Sequence, residues 1–487
     1  MLSLYNIFTV SRFEIKTLLR SWFFRIFAGL AIFILFWVNF GVLAVGEAPW
    51  TIRGLPSSIP YMNLLLLNAV QAVIAVFLAS DFLKRDKKLD TTEVIYMRSM
   101  TNGDYVLGKT LGIFIVFMAL NAIVLIIAAI FNLIASDVPF HPMSYLLYPL
   151  FISVPTLIFI FGLSFLFMVL IRNQAVTFIV LLGYIATTLF FLGNKFHHLF
   201  DYMAFKVPLV YSDFVGFGNV GEILIHRGIY FFLGLAFIFA TIRLLRRLPQ
   251  SMSMQRSALV FIFLFGGCGL WLGGVYLSRI QKSDRLRREM LTLNDRWVDA
   301  ASVSIQRQEI HLAHRKTQIE CSTDIVFQNT TDKSIDKYIF RLNPGLRVDG
   351  VECGGKEVSF DRDRHLLFVD ASVPLQPLFS DSLTIRYGGT IKEDACYLDA
   401  DPEIRERDYR VWMYQMDKRH AFITPDYVLL TPEAGWYPQA VVSFSPKRPE
   451  ERSYDFIRFN LRLDTSTNLN AFSPGAVTEQ GEGSFVF

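Results

Sequence analysis

The sequence predicts a membrane protein of two unlike parts: a polytopic α-helical bundle of about seven spans, six of them forming a core, followed by an all-β antiparallel sandwich. Two observations predict this. Residues 1–278 contain 34 of the 46 phenylalanines but only 19 Lys or Arg and 11 Asp or Glu, whereas residues 279–487 contain 28 and 32. The apolar pattern also changes, from unbroken runs in the first part to an alternation of period two in the second. At 53% hydrophobic and 18% charged, the chain departs from the ~45–50% and ~25% of soluble domains. A single soluble enzyme and a disordered or collagen-like chain are thereby excluded. The net charge of +4 averages +8 over the first part and −4 over the second and by itself says nothing about nucleic acid; no nucleic-acid partner is expected.

Residues 1–21 open the chain as an amphipathic interfacial helix rather than a cleavable signal peptide. At about 100° per residue, Leu4, Ile7, Phe8, Ile15, Leu18 and Leu19 fall on one arc, with Arg12, Lys16 and Arg20 beside it. Seven stretches then satisfy the ~20 apolar residues that cross ~30 Å of hydrocarbon: 22–45, 60–83, 107–135, 144–171, 175–193, 228–248 and 258–278. Their middles carry no charged side chain, Asp81 lying near an end, which argues against a proton-coupled carrier or a charged-ring channel. Asn39, Asn68, Gln71 and Asn121 are read as interhelical hydrogen-bond partners, and Gly269-Leu-Trp-Leu-Gly273 as a helix-packing pair in the lipid bilayer.

With the N-terminus in the cytoplasm, inside segments before residue 278 carry 15 cations and the outside loops four, Arg53, Lys195, Lys206 and Arg227. Arg279, Lys282, Arg285, Arg287 and Arg288 then fall outside, which long trailing domains tolerate. The C-terminal part is therefore expected outside the cytoplasm of a bacterial inner membrane. Were 175–193 not to cross, it would be cytoplasmic.

Between the second and third spans, Asp90 and Glu93 form a capping-box pattern and Asn102-Gly103 a stop, predicting a short surface helix over 91–100. Gly103-x-x-x-x-Gly108-Lys109-Thr110 matches a phosphate loop. That motif needs a preceding strand in an α/β domain, and here a membrane span follows instead, so Lys109 is read as an interfacial anchor.

This arrangement resembles the ABC type 2 (exporter) permeases over residues 1–248. Their loop reads Gly-Thr-x-Glu, then Pro-hydrophobic-Ser, then Gly-Lys entering the third span. Thr92, Glu93, Gly108 and Lys109 stand in corresponding places, whereas Asp90 or Thr91 replaces the glycine and Ser99-Met-Thr the proline motif. The resemblance implies that Asp90, Thr92, Glu93, Arg98 and Lys109, in a cytosolic loop 84–106, couple the bundle to a separate ABC ATPase subunit. It implies ATP on that partner and no cofactor on this chain, a second permease copy or homologue forming a dimer, and an outer hairpin over 194–227. His197-His198 with Asp201 is read as a wet loop cluster rather than a metal site.

The domains predicted are thus an interfacial helix 1–21, a permease-like 22–248, a seventh span 249–278, a helical stalk 279–300 and a β-sandwich 301–487. In the stalk, Leu286, Met290, Leu293 and Trp297 recur at helical spacing. Alternating strands follow at 302–305, 319–327, 337–342, 366–369, 383–387 and 456–463, separated by turns such as Asn343-Pro-Gly and Gly388-Gly.

The second part is similar to the N-terminal β-domain of the aminopeptidase N family of zinc metallopeptidases. Leu383-Thr-Ile-Arg-Tyr-Gly-Gly-Thr-Ile391, Tyr427-Val-Leu-Leu-Thr-Pro-Glu-Ala-Gly-Trp-Tyr-Pro438 and Ser473-Pro-Gly475 carry the likeness. No pair among the eight histidines satisfies His-Glu-x-x-His, His311 and His314 being three apart in a strand. The chain is therefore expected to have no catalytic or metal-binding residues and to be no enzyme by itself. Ser484-Phe-Val-Phe487 reads like the inside of a strand, so either a fragment or a split reading frame is expected. Cys321, Cys353 and Cys396 allow at most one internal disulfide, and Asn329-Thr-Thr331 matches a glycosylation pattern. The leading expectation is the permease subunit of an ATP-driven exporter. The alternatives are the anchor and N-terminal portion of a zinc aminopeptidase whose catalytic domain lies downstream or on another chain, and a non-transporting receptor or scaffold.

Overall fold

A computed structural model describes residues 2–44, 50–80, 100–135, 138–193, 195–212, 215–245, 252–398, 410–411, 414–415, 421–440, 444–446 and 457–487. The chain divides into two compact units, residues 1–279 with 408–417, and residues 280–407 with 418–487.

The first unit is helical. Helix α1 (Leu4–Arg20) is capped by Ser3, whose Oγ accepts the Asn6 amide, and stops at Ser21, which is extended and caps the next helix in turn. Helices α2 (Trp22–Ala44), α3 (Ser58–Ser80), α4 (Asn102–Ile134), α5 (Pro142–Ile171), α6 (Gln174–Leu192) and α7 (Val220–Leu244) follow, and α8 runs from Met252 to Trp297. Among the described residues, α2 to α8 are long and apolar enough to cross a membrane. The most hydropathic windows of α3 and α5 are 72% and 67% buried, against 22% for α2 and α6. The first two are thus the interior of the bundle, and the last two present their apolar sides outward. Helices α5 and α7 touch backbone to backbone at Gly162 and Gly234, where a Cβ on Gly234 would lie 2.6 Å from the Phe159 amide nitrogen.

The second unit holds the stalk half of α8 and the strands. An eight-stranded sheet has the order β12-β13-β11-β1-β2-β8-β4-β5, and a three-stranded sheet the order β3-β7-β6. The strands are β1 (Ser304–Arg315), β2 (Gln318–Gln328), β3 (Ile335–Arg341), β4 (Leu346–Cys353), β5 (Lys356–Glu357), β6 (Phe360–Asp363), β7 (Leu366–Leu375) and β8 (Ser380–Gly389). A small hairpin, β9 (Ala421–Ile423) with β10 (Val428–Leu430), precedes β11 (Arg458–Asp464), β12 (Glu479–Gly481) and β13 (Ser484–Val486). Alternating inward residues of both sheets form one core: Ile310, Ile325, Phe327 and Ile385 from the larger, Tyr338, Phe340, Leu367 and Val369 from the smaller.

Three expectations are corrected. The larger sheet is mixed, because β11 lies parallel to β1 with Arg307 opposite Arg458; the long connection after β8 lets the chain return in the same direction. Helix α7 begins at Val220, so Arg227 lies inside a span and not in a loop. Asn102-Gly103 starts α4 instead of stopping a helix, because Thr101 and Asp104 form a reciprocal capping box there. Helix α8 is 46 residues long and contains no proline.

Candidate functional site: a polar seam in the helical bundle

The interior of the first unit is built around a defect in α5. Pro149 opens a π-helical turn, Pro149–Ser153, and Pro155 follows it. Pro155 has no N–H to give to Phe151 O one turn back, and its ring pushes that carbonyl aside. Arg227 of α7, 2% exposed, occupies the gap. Its Nε donates to Phe151 O at 2.7 Å, Nη1 to Tyr202 O at 2.8 Å, and Nη2 to Ile152 O at 3.1 Å and Thr156 Oγ1 at 2.7 Å. A cation in an apolar bundle is costly; here four acceptors offset the cost.

From Thr156 the hydrogen bonds continue as a chain of neutral side chains. Asn68 Nδ2 donates to Thr156 Oγ1 at 3.1 Å and to Met203 O at 2.5 Å, and Asn68 Oδ1 accepts from Gln71 Nε2 at 2.7 Å. Gln71 Oε1 accepts from Asn121 Nδ2 at 2.8 Å, and Asn121 Oδ1 accepts from Ser153 Oγ at 2.6 Å. Separately, Asn39 and Asn63 exchange amide hydrogen bonds of 2.7 and 2.9 Å between α2 and α3. The polar residues of the spans thus meet one another across helices. Arg227, Thr156 and Ser153 belong to this chain and Asn63 to the separate pair with Asn39; none of the four was singled out in the sequence as a hydrogen-bond partner. The one signal that could have found Arg227 is Pro155, since an interior proline leaves a carbonyl seeking a donor.

The segment between α6 and α7 reaches this seam with non-helical backbone. Tyr202, Met203, Ala204 and Leu209 are fully buried, so protein surrounds this irregular backbone. Asp201 is 1% exposed and accepts the amides of Lys206 and Val207 at 2.5 and 3.2 Å. The expectation of a wet cluster fails for Asp201, which the turn's own amides hold inside. His198 Nδ1 lies 3.0 Å from Gly193 O, and His226 Nε2 lies 2.9 Å from His198 O.

The phosphate-loop pattern has a different use. At Gly108 and Gly112 a Cβ would come within 2.9 Å of Ile7 O and 2.8 Å of Ser11 O, so these glycines let α1 lie directly on α4. Lys109 is buried, with its Nζ 3.7 Å from Glu14 Oε2 of α1 and above the Tyr105 ring. The buried stripe of α1 is Ile7, Ser11, Glu14 and Leu18, while Leu4, Phe8 and Leu19 of the expected apolar arc are exposed. Asp90, Thr92, Glu93 and Arg98 lie outside the described residues. In α8, a Cβ on Gly269 would meet Leu233 at 2.9 Å, whereas Gly273 faces open space.

In the second unit, Lys392, the residue after the segment 383–391, and the segment 427–438 come together at Asn343. Its Nδ2 donates to Lys392 O at 3.0 Å and Ala434 O at 2.8 Å, its Oδ1 accepts the Gly345 and Lys392 amides at 2.9 Å each, and its own amide donates to Gly435 O at 2.8 Å. Gly435 takes a left-handed φ of 62° after the Pro432–Ala434 turn, a conformation that favours glycine. Trp436 then enters the core.

The histidines here are engaged singly. His311 Nε2 lies 2.6 Å from Asp464 Oδ2, a hydrogen bond that holds that carboxyl below its ordinary range. His314 lies 3.0 Å from Thr465 Oγ1 and 2.8 Å from Lys316 O. His365, fully buried, lies 2.7 Å from Asn294 Oδ1, and burial, with Arg341 and Arg362 nearby, pushes its pKa down to about 3. Among the described residues no three His, Cys, Asp or Glu side chains gather as metal ligands would, so these residues do not fit the zinc that the resemblance implies. The four cysteines are free. Asn329 is buried and its Nδ2 donates to Lys333 O and Leu375 O, which leaves no room for a sugar.

No family model and no curated protein matches the chain. Solved structures do. The chain is similar to an M1 zinc metallopeptidase from Deinococcus radiodurans, at 17% identity over 38% of each chain and a TM-score of 0.28. It is also similar to yeast LTA4 hydrolase, at 11% identity over 38% of this chain and 26% of that one, with a TM-score of 0.24. The chain thus spans well under half the length of these structures. The expectation that it is no enzyme is corrected by this finding, since the structures it is similar to are those of enzymes.

Proposed function

We propose that this chain is the multi-pass membrane anchor and amino-terminal portion of an aminopeptidase-type zinc hydrolase, with zinc ligands and catalytic base supplied by residues outside 1–487. The observation that carries this reading is the junction at Asn343. Two of the three segments on which the sequence resemblance rests are far apart in the chain, yet the Asn343 side chain ties Lys392, the residue after the first, to Ala434 in the turn of the second. The apolar helices would hold the activity at the membrane, with the N-terminus cytoplasmic and the sheet-rich unit outside.

The test is to read the coding sequence beyond residue 487 and assay membranes carrying the complete gene product. An in-frame His-Glu-x-x-His and chelator-sensitive release of coumarin from aminoacyl-coumarin amides support the proposal. A stop codon at once, with no hydrolysis, overturns it. Labelling of a cysteine placed at Lys337 by an impermeant reagent on sealed cells tests the orientation.

A second reading, the permease subunit of an ATP-driven exporter, is favoured by the seam. A plain anchor has no need of a buried arginine and irregular backbone inside its helices. Crosslinkers at Glu93 and Arg98 that capture an ATPase would support this reading, and their failure to do so would remove it.

A further inference from the structure

The stalk half of α8 carries an arginine stripe that the proposed function leaves unused. Arg285, Arg288 and Arg296 stand three and eight residues apart, within about 80° of one another on the helix and over roughly 16 Å of its length. With Asp363 at the end of β6 and Arg364 in the turn after it, they line a cleft of about 490 Å³. The opposite side of the same helix is fixed to the unit: Arg287 Nη1 donates to Asp394 O and Cys396 O at 3.0 and 2.9 Å, Nη2 donates to Tyr397 O at 2.9 Å, and Asn294 Nδ2 donates to Phe444 O at 2.7 Å. The stripe is therefore rigidly mounted.

Its charge is not balanced from within. Glu289 serves two arginines at once, with its carboxylate 3.0 Å from Arg285 Nε and 2.6 Å from Arg364 Nη2. Arg364 holds this position from a left-handed φ of 55°, a conformation in which a long side chain is uncommon. Arg288 and Arg296 are exposed and have no ion-pair partner among the described residues. Four guanidinium groups around two carboxylates repel one another unless an anion enters.

We propose that this cleft docks an extended acidic peptide segment. Arg288 and Arg296 are separated by about 12 Å of helical rise, too far for one phosphate or one lipid headgroup to bridge. An extended strand rises about 3.3 Å per residue, so carboxylates four residues apart lie about 13 Å apart on one face and reach both forks. Planar guanidinium groups pair bidentately with carboxylates. The site is independent of the catalytic reading.

The experiment uses the full chain in detergent and a fluorescein-labelled heptapeptide, Gly-Glu-Gly-Ser-Gly-Glu-Gly, followed by anisotropy. Binding is expected at low salt, at least ten-fold weaker for the Gln analogue and for the R288Q/R296Q variant, and unchanged for K333Q/R458Q, which removes the same charge elsewhere. Equal weakening in both variants, or no weakening in R288Q/R296Q, overturns the proposal. So does equally strong displacement of the peptide by inorganic phosphate or by phosphatidylglycerol vesicles.

Discussion

Arg227 in the helical unit and Arg362 in the sheet-rich unit perform the same local task in different surroundings. Each guanidinium gathers carbonyls that regular structure leaves over. Arg227 takes those freed by Pro155 and by the segment around Tyr202. Arg362 takes those of the turn that leads into β4, with Nη2 donating to Leu342 O and Asn343 O, Nη1 to Leu346 O, and Nε to Arg364 O; burial lowers its pKa to about 10. In the sheet-rich unit, water can replace a lost donor at part-buried carbonyls. In a bilayer interior it cannot. The comparison teaches that an arginine's worth depends less on its bonds than on what would replace them.

Substitutions can break or sharpen this contrast. The largest effect is expected for Arg227→Met, which removes four buried hydrogen bonds made by a charged group, each contributing ~1.5–3 kcal/mol. A loss of at least ~3 kcal/mol, read by thermal unfolding in detergent, is expected. A loss no greater than that of Arg362→Met would end the argument from solvent. Next comes Asn343→Ala, which removes four side-chain hydrogen bonds at one junction and should cost ~2–3 kcal/mol. Amide exchange in β8 and around Trp436 should accelerate together; acceleration at only one of them would show that the segments are not joined there.

A smaller effect concerns pH. The imidazole of His365 has a folded pKa of about 3 against an ordinary 6.5, so below pH 6.5 the unfolded chain takes up a proton that the fold refuses. Its contribution is complete above pH 6.5 and declines as pH falls towards 3, by up to ~1.4 kcal/mol per pH unit. Urea unfolding of the sheet-rich unit at pH 7 and pH 5 should reveal this slope, and His365→Leu should flatten it. The smallest effect is expected for Arg315→Gln. Its ion pair with Glu320 is 64% and 67% exposed, and such pairs contribute ~0–1 kcal/mol. A larger change would mean that surface charge matters more in this unit than burial does.

Much of the architecture was legible before the structure. The spans were, because length and apolarity are local properties, and the stalk face was, because Leu286, Met290, Leu293 and Trp297 follow a single helical period. Strand β4 was missed. A register shift between Val348 and Gly350 interrupts its alternation, so a period-two search does not find it. The parallel pairing of β1 with β11 was equally hidden, since either direction buries the same alternating face. Of the seam, Asn68, Gln71 and Asn121 were foreseen as interhelical partners. Arg227 was not, because its acceptor Thr156 lies 71 residues away in sequence and the carbonyl that receives it exists only because of Pro155.

By itself, the sequence determined where this protein is apolar, where its period changes from helix to strand, and where the two parts join. These follow from burial, which each residue contributes in proportion to its own surface and which neighbours in the chain share. Which donor meets which acceptor was decided only by the tertiary structure. A hydrogen bond needs two groups within about 3 Å, and for Arg227, Asn343 and His365 those groups are supplied by segments remote in sequence.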